Sequence, residues 1–535
     1  MVKNVLRWRY IRWAIAIPTL PIALWACTSH PLSAPRPQPE QTSEMKVIVN
    51  PTRMVDMIFM IDNSASMAPK QAKLAAQFPK LITALEDPTS TPRLPDMRIA
   101  IITSDVGTGS SGTCTPQFGD RGQFQMKALQ GQTCGNKAGT KWLESNPANY
   151  DGGDIAKVFG CLAQGVGQAG CGFEQQLQSL NYAFIVDQQE GGKSVGVSVK
   201  SFIRENAYLA IVLLTDEDDC STPLNSLLAQ TNLSSTESWS LRCATRGHTC
   251  SGKTLDYPTS SKFVDDYANC SPRTDYCPAS ETGEKPTGCT PLANVEEIAN
   301  NIKNYKRANS GMDDMILVAG IFGKPIDGQK TAKYKIDKTP NPTAGQPDIY
   351  DYWPVCYDPT KPGPLDDPGT YSTDAAGLGA YGGLRIQSFL DKFPKENALA
   401  FSICETDYSK AMSQIGDTLR KRLKSLCVPK KLMDVDLTQD GVQPDCKVTD
   451  VVGSREIKDI EWCGANGNKP PCWRVEEKKD ECPAKGTVPS QHIVVDRPAN
   501  ENMEPNQSVK MACRTCVELK DGLSVDQYQV EGCRY

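Results

Sequence analysis

Asp62, Ser64 and Ser66 stand two residues apart in the stretch IFMIDNSASM, Ile58 to Met67, where an apolar run stops at a carboxylate and two hydroxyls. Oxygen donors of this kind suit a hard divalent cation, magnesium or manganese first and calcium second, rather than zinc. The same three residues also suit an ordinary polar turn after a strand, so their surroundings decide. A second apolar run, AIVLLTDEDD, ends in Thr215 and Asp216. In an open parallel sheet ligands bind just beyond the carboxyl ends of the strands. If both runs are strands of one such sheet, Asp62, Ser64, Ser66 and Asp216 converge at one edge as an all-oxygen shell.

The elements needed to position them are legible. Near-continuous apolar runs predict strands over Val55 to Ile61, Arg98 to Thr103, Leu209 to Thr215, Met315 to Ile321 and Ala398 to Ile403. Between them, apolar residues at helical spacing predict helices. Leu74, Phe78, Leu81, Ile82 and Leu85 mark the first, with Pro79 placed to kink or split it. The others run over Ile155 to Leu162, Glu174 to Phe184, Val295 to Tyr305, Leu384 to Phe393 and Tyr408 to Leu426. Strands alternating with helices are the signature of an α/β class with a parallel sheet.

On these motifs, DMIFMIDNSASM and the later LLTDEDD, residues 53 to about 427 resemble the von Willebrand factor type A (VWA) family, interrupted by inserts. The resemblance implies a doubly wound, mostly parallel, Rossmann-like sheet with a metal-ion-dependent adhesion site. There, serines of the first loop bind the ion, aspartates assist through water, and a carboxylate of a ligand protein completes the shell. Asp62, Ser64, Ser66 and Asp216 take those roles by resemblance. The family's middle loop supplies a threonine, yet from Lys141 to Leu214 this sequence has none. The matching region is GCGFEQQL, where Glu174 is the nearest oxygen-bearing substitute. Its alternative role is to favour a helix N-terminus through the macrodipole. Ser104 and Asp105 end the second strand, and Asp105 is a candidate for supporting the ligands from behind, with turn formation as the alternative. Glu217, Asp218 and Asp219 follow Asp216 and could add a second cation, although an acidic run at a loop start is more often solvated.

The remaining bounds concern address and class. The chain has 535 residues, 39% hydrophobic, enough for more than one domain and a sizeable core. A net charge of -5 gives no basic footprint, so nucleic acid is not an expected partner. Lys3, Arg7, Arg9 and Arg12 precede an apolar run from Ala14 to Ala26, which reads as a signal peptide over residues 1–26. That run ends in LWAC, resembling a lipobox, so Cys27 is expected to carry lipid in a bacterial envelope, at the outer membrane by resemblance to sorting rules that read Thr28. Prolines 31, 35, 37 and 39 mark residues 27–52 as an extended tether.

Of the 21 cysteines, setting Cys27 aside leaves an even number that can all pair. With a secretory signal they argue for disulfides rather than zinc. They concentrate in three inserts, about 107–150, 220–292 and 324–383, and in residues 428–535, where short alternating segments predict a small β-rich, disulfide-stapled region. No H-E-x-x-H motif occurs and only His30, His248 and His492 are available, so an enzyme is not expected. The expected function is metal-dependent binding of an unidentified protein or surface macromolecule by a lipid-anchored protein. The alternatives are a structural envelope component whose metal site only stabilises and, further off, a metal-assisted hydrolase.

Overall fold

The computed structural model describes residues 42–49, 53–87, 93–108, 119–184, 188–190, 193–195, 199, 201–204, 207–223, 226, 228, 239–251, 253–254, 270–278, 288–310, 315–324, 336–339, 349–352, 355, 379–424, 428, 430–436, 438, 441–452, 455–464, 467–477, 491–498 and 507–516. The signal-peptide segment, Cys27 and the proline-rich stretch lie outside the described residues.

The strands are β1 (Thr42–Val49), β2 (Met54–Ile61), β3 (Asp96–Thr103), β4 (Leu143–Glu144), β5 (Tyr208–Leu214), β6 (Ile316–Phe322) and β7 (Ala398–Ser402). The helices are α1 (Ala68–Leu85), α2 (Ile155–Gly165), α3 (Gln176–Phe184), α4 (Trp239–Gly247), α5 (Val295–Ser310), α6 (Leu384–Leu390) and α7 (Ser409–Lys424). All five strands expected in the main domain form within two residues of their predicted bounds.

They build one six-stranded sheet in the order β7-β6-β5-β2-β3-β4, parallel throughout except for the short antiparallel edge strand β4. Apolar alternation along the strands feeds two cores. Val55, Met57, Phe59 and Ile61 face α1, α2 and α7, while Ile58 and Met60 face α3, α5 and α6. This is why β2 and β5 are buried at every position: a strand covered by helices on both faces has no polar side. Phe59, Phe78 and Phe159 join β2, α1 and α2, with Phe78 and Phe159 stacked at 3.8 Å.

The chain leaves β2 toward β3 on one side and later returns on the other side with β5. The direction of winding therefore reverses between β2 and β5, and a crevice opens at the carboxyl ends of the two strands. That topology decides where a ligand site can sit.

α1 continues through Pro79 without being split. Its packing is close: a Cβ at Gly416 of α7 would stand 2.7 Å from the Leu81 carbonyl oxygen, so α7 reaches α1 only because position 416 is glycine.

After α7 come β8 (Cys446–Val452), β9 (Arg455–Trp462), β10 (Cys472–Glu477), β11 (Gln491–Asp496) and β12 (Gln507–Cys516). They form a second sheet in the order β1-β12-β8-β9-β10-β11 around Val448, Ile460, Trp473, Ile493, Val509 and Met511. The β-rich C-terminal region expected from the sequence is present. One boundary moves: Thr42–Val49, assigned to the tether by composition, pairs antiparallel with β12 from Thr42 opposite Cys516 to Val49 opposite Val509. The partner strand that stabilises it lies at the far end of the sequence, where composition cannot reveal it.

Disulfides link Cys134 to Cys161, Cys220 to Cys243, Cys250 to Cys270, Cys277 to Cys289, Cys446 to Cys513 and Cys463 to Cys472. Cys171, Cys404 and Cys516 are disulfide-bonded as well. A cluster of Cys463, Cys472 and Asp496 has metal-like proximity, but its two sulfurs are bonded to each other and offer no thiolate.

Candidate metal centre

Asp62 is the first residue past β2, and its N–H donates to the Leu214 carbonyl at the end of β5 at 2.9 Å. The two strand ends are thereby held side by side. The Asp62 carboxylate is fully engaged. Oδ1 accepts from the Ser64 N–H at 2.8 Å and the Ser104 hydroxyl at 3.1 Å, and Oδ2 accepts from the Thr215 hydroxyl at 2.7 Å. Gln176 Nε2 donates in turn to Thr215 Oγ1 at 2.8 Å, so α3 braces the same carboxylate through one intermediary.

The Ser64 and Ser66 hydroxyls lie 3.3 Å apart, on the short 3-10 turn that leads into α1. Gln71 fastens this loop by donating to the Asp62 carbonyl at 2.9 Å and to the Gly167 carbonyl of the middle loop at 3.0 Å. A Cβ at Gly170 would stand 2.2 Å from Asn63 Oδ1, so the middle loop approaches the first one closely only with glycine there.

Asp216 lies across the crevice. Its Oδ2 accepts from the Lys70 ammonium at 2.5 Å, whereas its Oδ1 is buried with no hydrogen-bond partner among the described residues. Glu174 Oε2 is in the same condition. Asp62, Ser64, Asp216 and Glu174 are at most 5% exposed, and Ser66 is half-buried. The structure thus brings Asp62, Ser64, Ser66 and Asp216 to one strand-end crevice, with Glu174 buried close enough to Asp62 for their charges to oppose.

Glu174 precedes α3 rather than capping it. The open N–H groups of that helix are satisfied from the β5 loop: Leu177 N–H donates to Asp219 Oδ1 at 2.9 Å and Gln178 N–H to Ser221 Oγ at 2.6 Å. The Glu174 carboxyl instead hydrogen-bonds Glu217. Two carboxyls can do so only by sharing a proton. Burial first, then the charges of Glu217 and Asp62, hold Glu174 well above the usual carboxylate range. Burial and then the Asp216 charge push Glu217 up to about 8, against the pull of the Ser240 hydroxyl at 2.6 Å. Asp62 is raised to about 6, again by burial and then by Asp216.

One expectation is corrected. The acidic run after Asp216 is not solvated: Asp218 and Asp219 are buried and Glu217 is half-buried. Asp218 accepts from the Arg385 N–H at 3.0 Å at the start of α6 and pairs with His248 Nε2 at 2.7 Å. Asp219 pairs with the Arg385 guanidinium at 3.0 Å. Glu217 is thus engaged by Ser240 of α4, while Asp218 and Asp219 both engage Arg385 of α6. Asp105 is buried as well: its Oδ1 accepts from the Gly107 N–H at 2.9 Å, the carboxylate also accepts from the backbone of Cys171 in the middle loop, and burial followed by the Asp120 charge raises it to about 6. Direct support of Asp62 comes from the neighbouring Ser104 hydroxyl.

Sequence reading missed Lys70, Gln176 and Ser240 as site residues. Lys70 sits four residues after Ser66 on the first turn of α1, a spacing that places it back over the loop. Ser240 belongs to α4, in the second insert, which the Cys220–Cys243 disulfide fastens to the β5 loop. Trp239 packs edge-on to Phe173 at 5.2 Å beside Glu174.

The residues present fit a hard divalent cation. Every donor is an oxygen, and Asp216 Oδ1 and Glu174 Oε2 are buried carboxyl oxygens with no hydrogen-bond partner among the described residues, a costly condition that a bound cation would relieve. Asp62, with both oxygens occupied, would serve an ion at one remove, by holding Ser64 and Thr215.

No protein-family model matches the chain, and no curated protein matches it. Among solved structures it is similar to the pilus adhesin SpaC from Lactobacillus rhamnosus GG in its open conformation, with TM-score 0.27 and 9% identity over 91% of this chain and 42% of that one. It is also similar to the adhesive tip pilin GBS104 from Group B Streptococcus agalactiae, with TM-score 0.24 and 12% identity over 91% of this chain and 82% of that one. For the human COPII-coat protein Sec24c the TM-score is 0.30 and the identity 8%, over 92% of this chain and 48% of that one. The chain thus spans less than half the length of SpaC and of Sec24c. Superpositions this partial carry no functional assignment, so the site has to supply one.

Proposed function

We propose that the chain is a lipid-anchored bacterial envelope protein whose main domain is of the von Willebrand factor type A kind and binds a protein or other surface macromolecule through a divalent-cation site. The ion, magnesium or manganese, lies between the first loop and the β5 loop, held by Ser64, Ser66 and Asp216, with Asp62 orienting them and Glu174 replacing the family's threonine. The observation that carries this reading is the pair of buried carboxyl oxygens without a hydrogen-bond partner among the described residues, Asp216 Oδ1 and Glu174 Oε2, in the crevice where the sheet reverses its winding. Half-buried Ser66 and exposed Ala65 leave the first loop as the side from which a partner reaches the ion. Cys27 anchors the chain by lipid; among the described residues no helix is long and apolar enough to cross a membrane. The role is one of binding, not catalysis.

A second reading is favoured by the depth of the site: with Asp62 0% and Asp216 3% exposed, the ion could serve only to pin three loops of an envelope component. The two separate experimentally. Cross-linking of the full chain on intact cells, with and without chelator and with Asp62→Ala, supports the binding role if both treatments remove a cross-linked partner while the chain stays folded. Chelation that lowers the melting temperature steeply and leaves the cross-linking pattern unchanged overturns it in favour of the structural role.

A further inference from the structure

Lys70 occupies a position that electrostatics disfavours. It lies in the first turn of α1, where the helix macrodipole is positive and cations are unfavourable, and it is 2% exposed, so its ammonium has almost no water. A buried lysine at the wrong end of a helix requires a specific anionic partner. It has one in Asp216, at 2.5 Å, and a second acceptor in the Ser66 carbonyl at 3.2 Å. The two contacts tie the loop that bears the serines to the loop that bears Asp216, across the crevice where an ion would sit.

We propose that Lys70 is the resident cation of this acidic crevice: it holds Asp216 in the metal-free protein and competes with a divalent ion for that carboxylate. The pairing itself is independent of the metal reading; the competition rests on it. Asp216 offers Oδ2 to the ammonium and keeps Oδ1 without a partner, so an ion bound through Oδ1 and the serine hydroxyls would stand a few ångströms from a positive charge in a place shielded from solvent. Repulsion at that range is strong. Lys70 therefore weakens cation binding, and a tightly bound ion must drive the ammonium off Asp216. Because Lys70 also grips Ser66, its departure would free the serine loop, which couples ion occupancy to the shape of the face offered to a partner. A site of this design is intact without metal and takes up the ion only where the ion is abundant or where a ligand carboxylate adds its own charge.

The test uses the full chain with Lys70→Met, Lys70→Gln, Asp216→Asn and the Lys70→Met/Asp216→Asn double variant. In EDTA, each single change strands a buried charge, and the melting temperature falls by roughly 5 °C or more. The double change removes both charges and falls less than the sum of the singles. With manganese chloride as the probe, calorimetric titration gives tighter binding for Lys70→Met and Lys70→Gln than for the parent, by about tenfold or more. Equal affinity of parent and Lys70 variants overturns the competition and leaves the metal reading standing. Absence of manganese binding in every variant removes the metal reading and the competition together. Additive losses in EDTA overturn the pairing.

Discussion

The Thr215 hydroxyl donates to Asp62 Oδ2 at 2.7 Å, locking the residue that follows β5 to the residue that follows β2. With Gln176 donating to the same hydroxyl at 2.8 Å, the contact is the middle link of a chain from α3 to the carboxylate at the centre of the site. Thr215→Val keeps the shape and removes the hydroxyl, leaving a buried carboxylate oxygen and an amide short of a partner. The expected loss is about 2 kcal/mol in denaturant unfolding, with manganese affinity weakened because Asp62 is no longer fixed. Unchanged stability would mean that water enters and replaces the hydroxyl.

Arg385 and Asp219 are 1% and 0% exposed and form one ion pair. Arg385 also donates to the Ala293 carbonyl at 2.8 Å, and Asp219 caps α3. Removing the guanidinium alone strands a buried carboxylate, so Arg385→Ala should cost about 3–5 kcal/mol. Chemical denaturation at neutral pH measures it.

Acidity gives a signed prediction. The folded protein holds Glu217 up to about 8, from the ordinary 4.5, and Asp62 up to about 6, from 3.8. Because the folded values lie above the unfolded ones, the folded state binds more protons in that window. Metal-free stability therefore falls as pH rises from about 4 to about 8 and levels off beyond it. Glu174→Gln supplies Glu217 with an amide donor in place of the shared proton. The variant should lose less stability over the same range in EDTA, read as melting temperature against pH. A ligand role for Glu174 predicts in addition weaker manganese binding in the same variant.

The Cys220–Cys243 bridge fastens α4, with Ser240 and Trp239, over the acidic loop. Replacing both cysteines by serine should cost about 3 kcal/mol from loop-closure entropy alone. It should also speed release of a bound cation, measured by competition with a chelator, because the cover over Glu217 loosens.

Much of this was legible in the sequence where the physics is local. Continuous apolar runs fixed the strands, and Asp62 and Asp216 stood out because they end two such runs. What was illegible depends on partners distant in sequence. Glu217, Asp218 and Asp219 read as a solvated run because Arg385, His248 and Ser240 give no local sign that they are aimed at them. Lys70 gives no local sign of its role, because its partner Asp216 lies 146 positions further on. Thr42–Val49 read as tether because the strand it pairs with, β12, lies at the other end of the chain. Ser104 and Asp105 share one strand end; the Ser104 hydroxyl reaches Asp62 and the Asp105 carboxylate accepts from the backbone of Gly107 and Cys171.

The central claim is that the crevice between β2 and β5 holds one divalent cation through Ser64, Ser66 and Asp216, under the control of Asp62. Calorimetric titration of the full chain with manganese chloride tests it most directly, alongside Asp216→Ala and the Ser64→Ala/Ser66→Ala double variant. The account predicts one saturable site in the parent, lost in both variants while each remains folded by circular dichroism. Manganese binding that is undiminished in the folded variants, or absent from the parent, would contradict it.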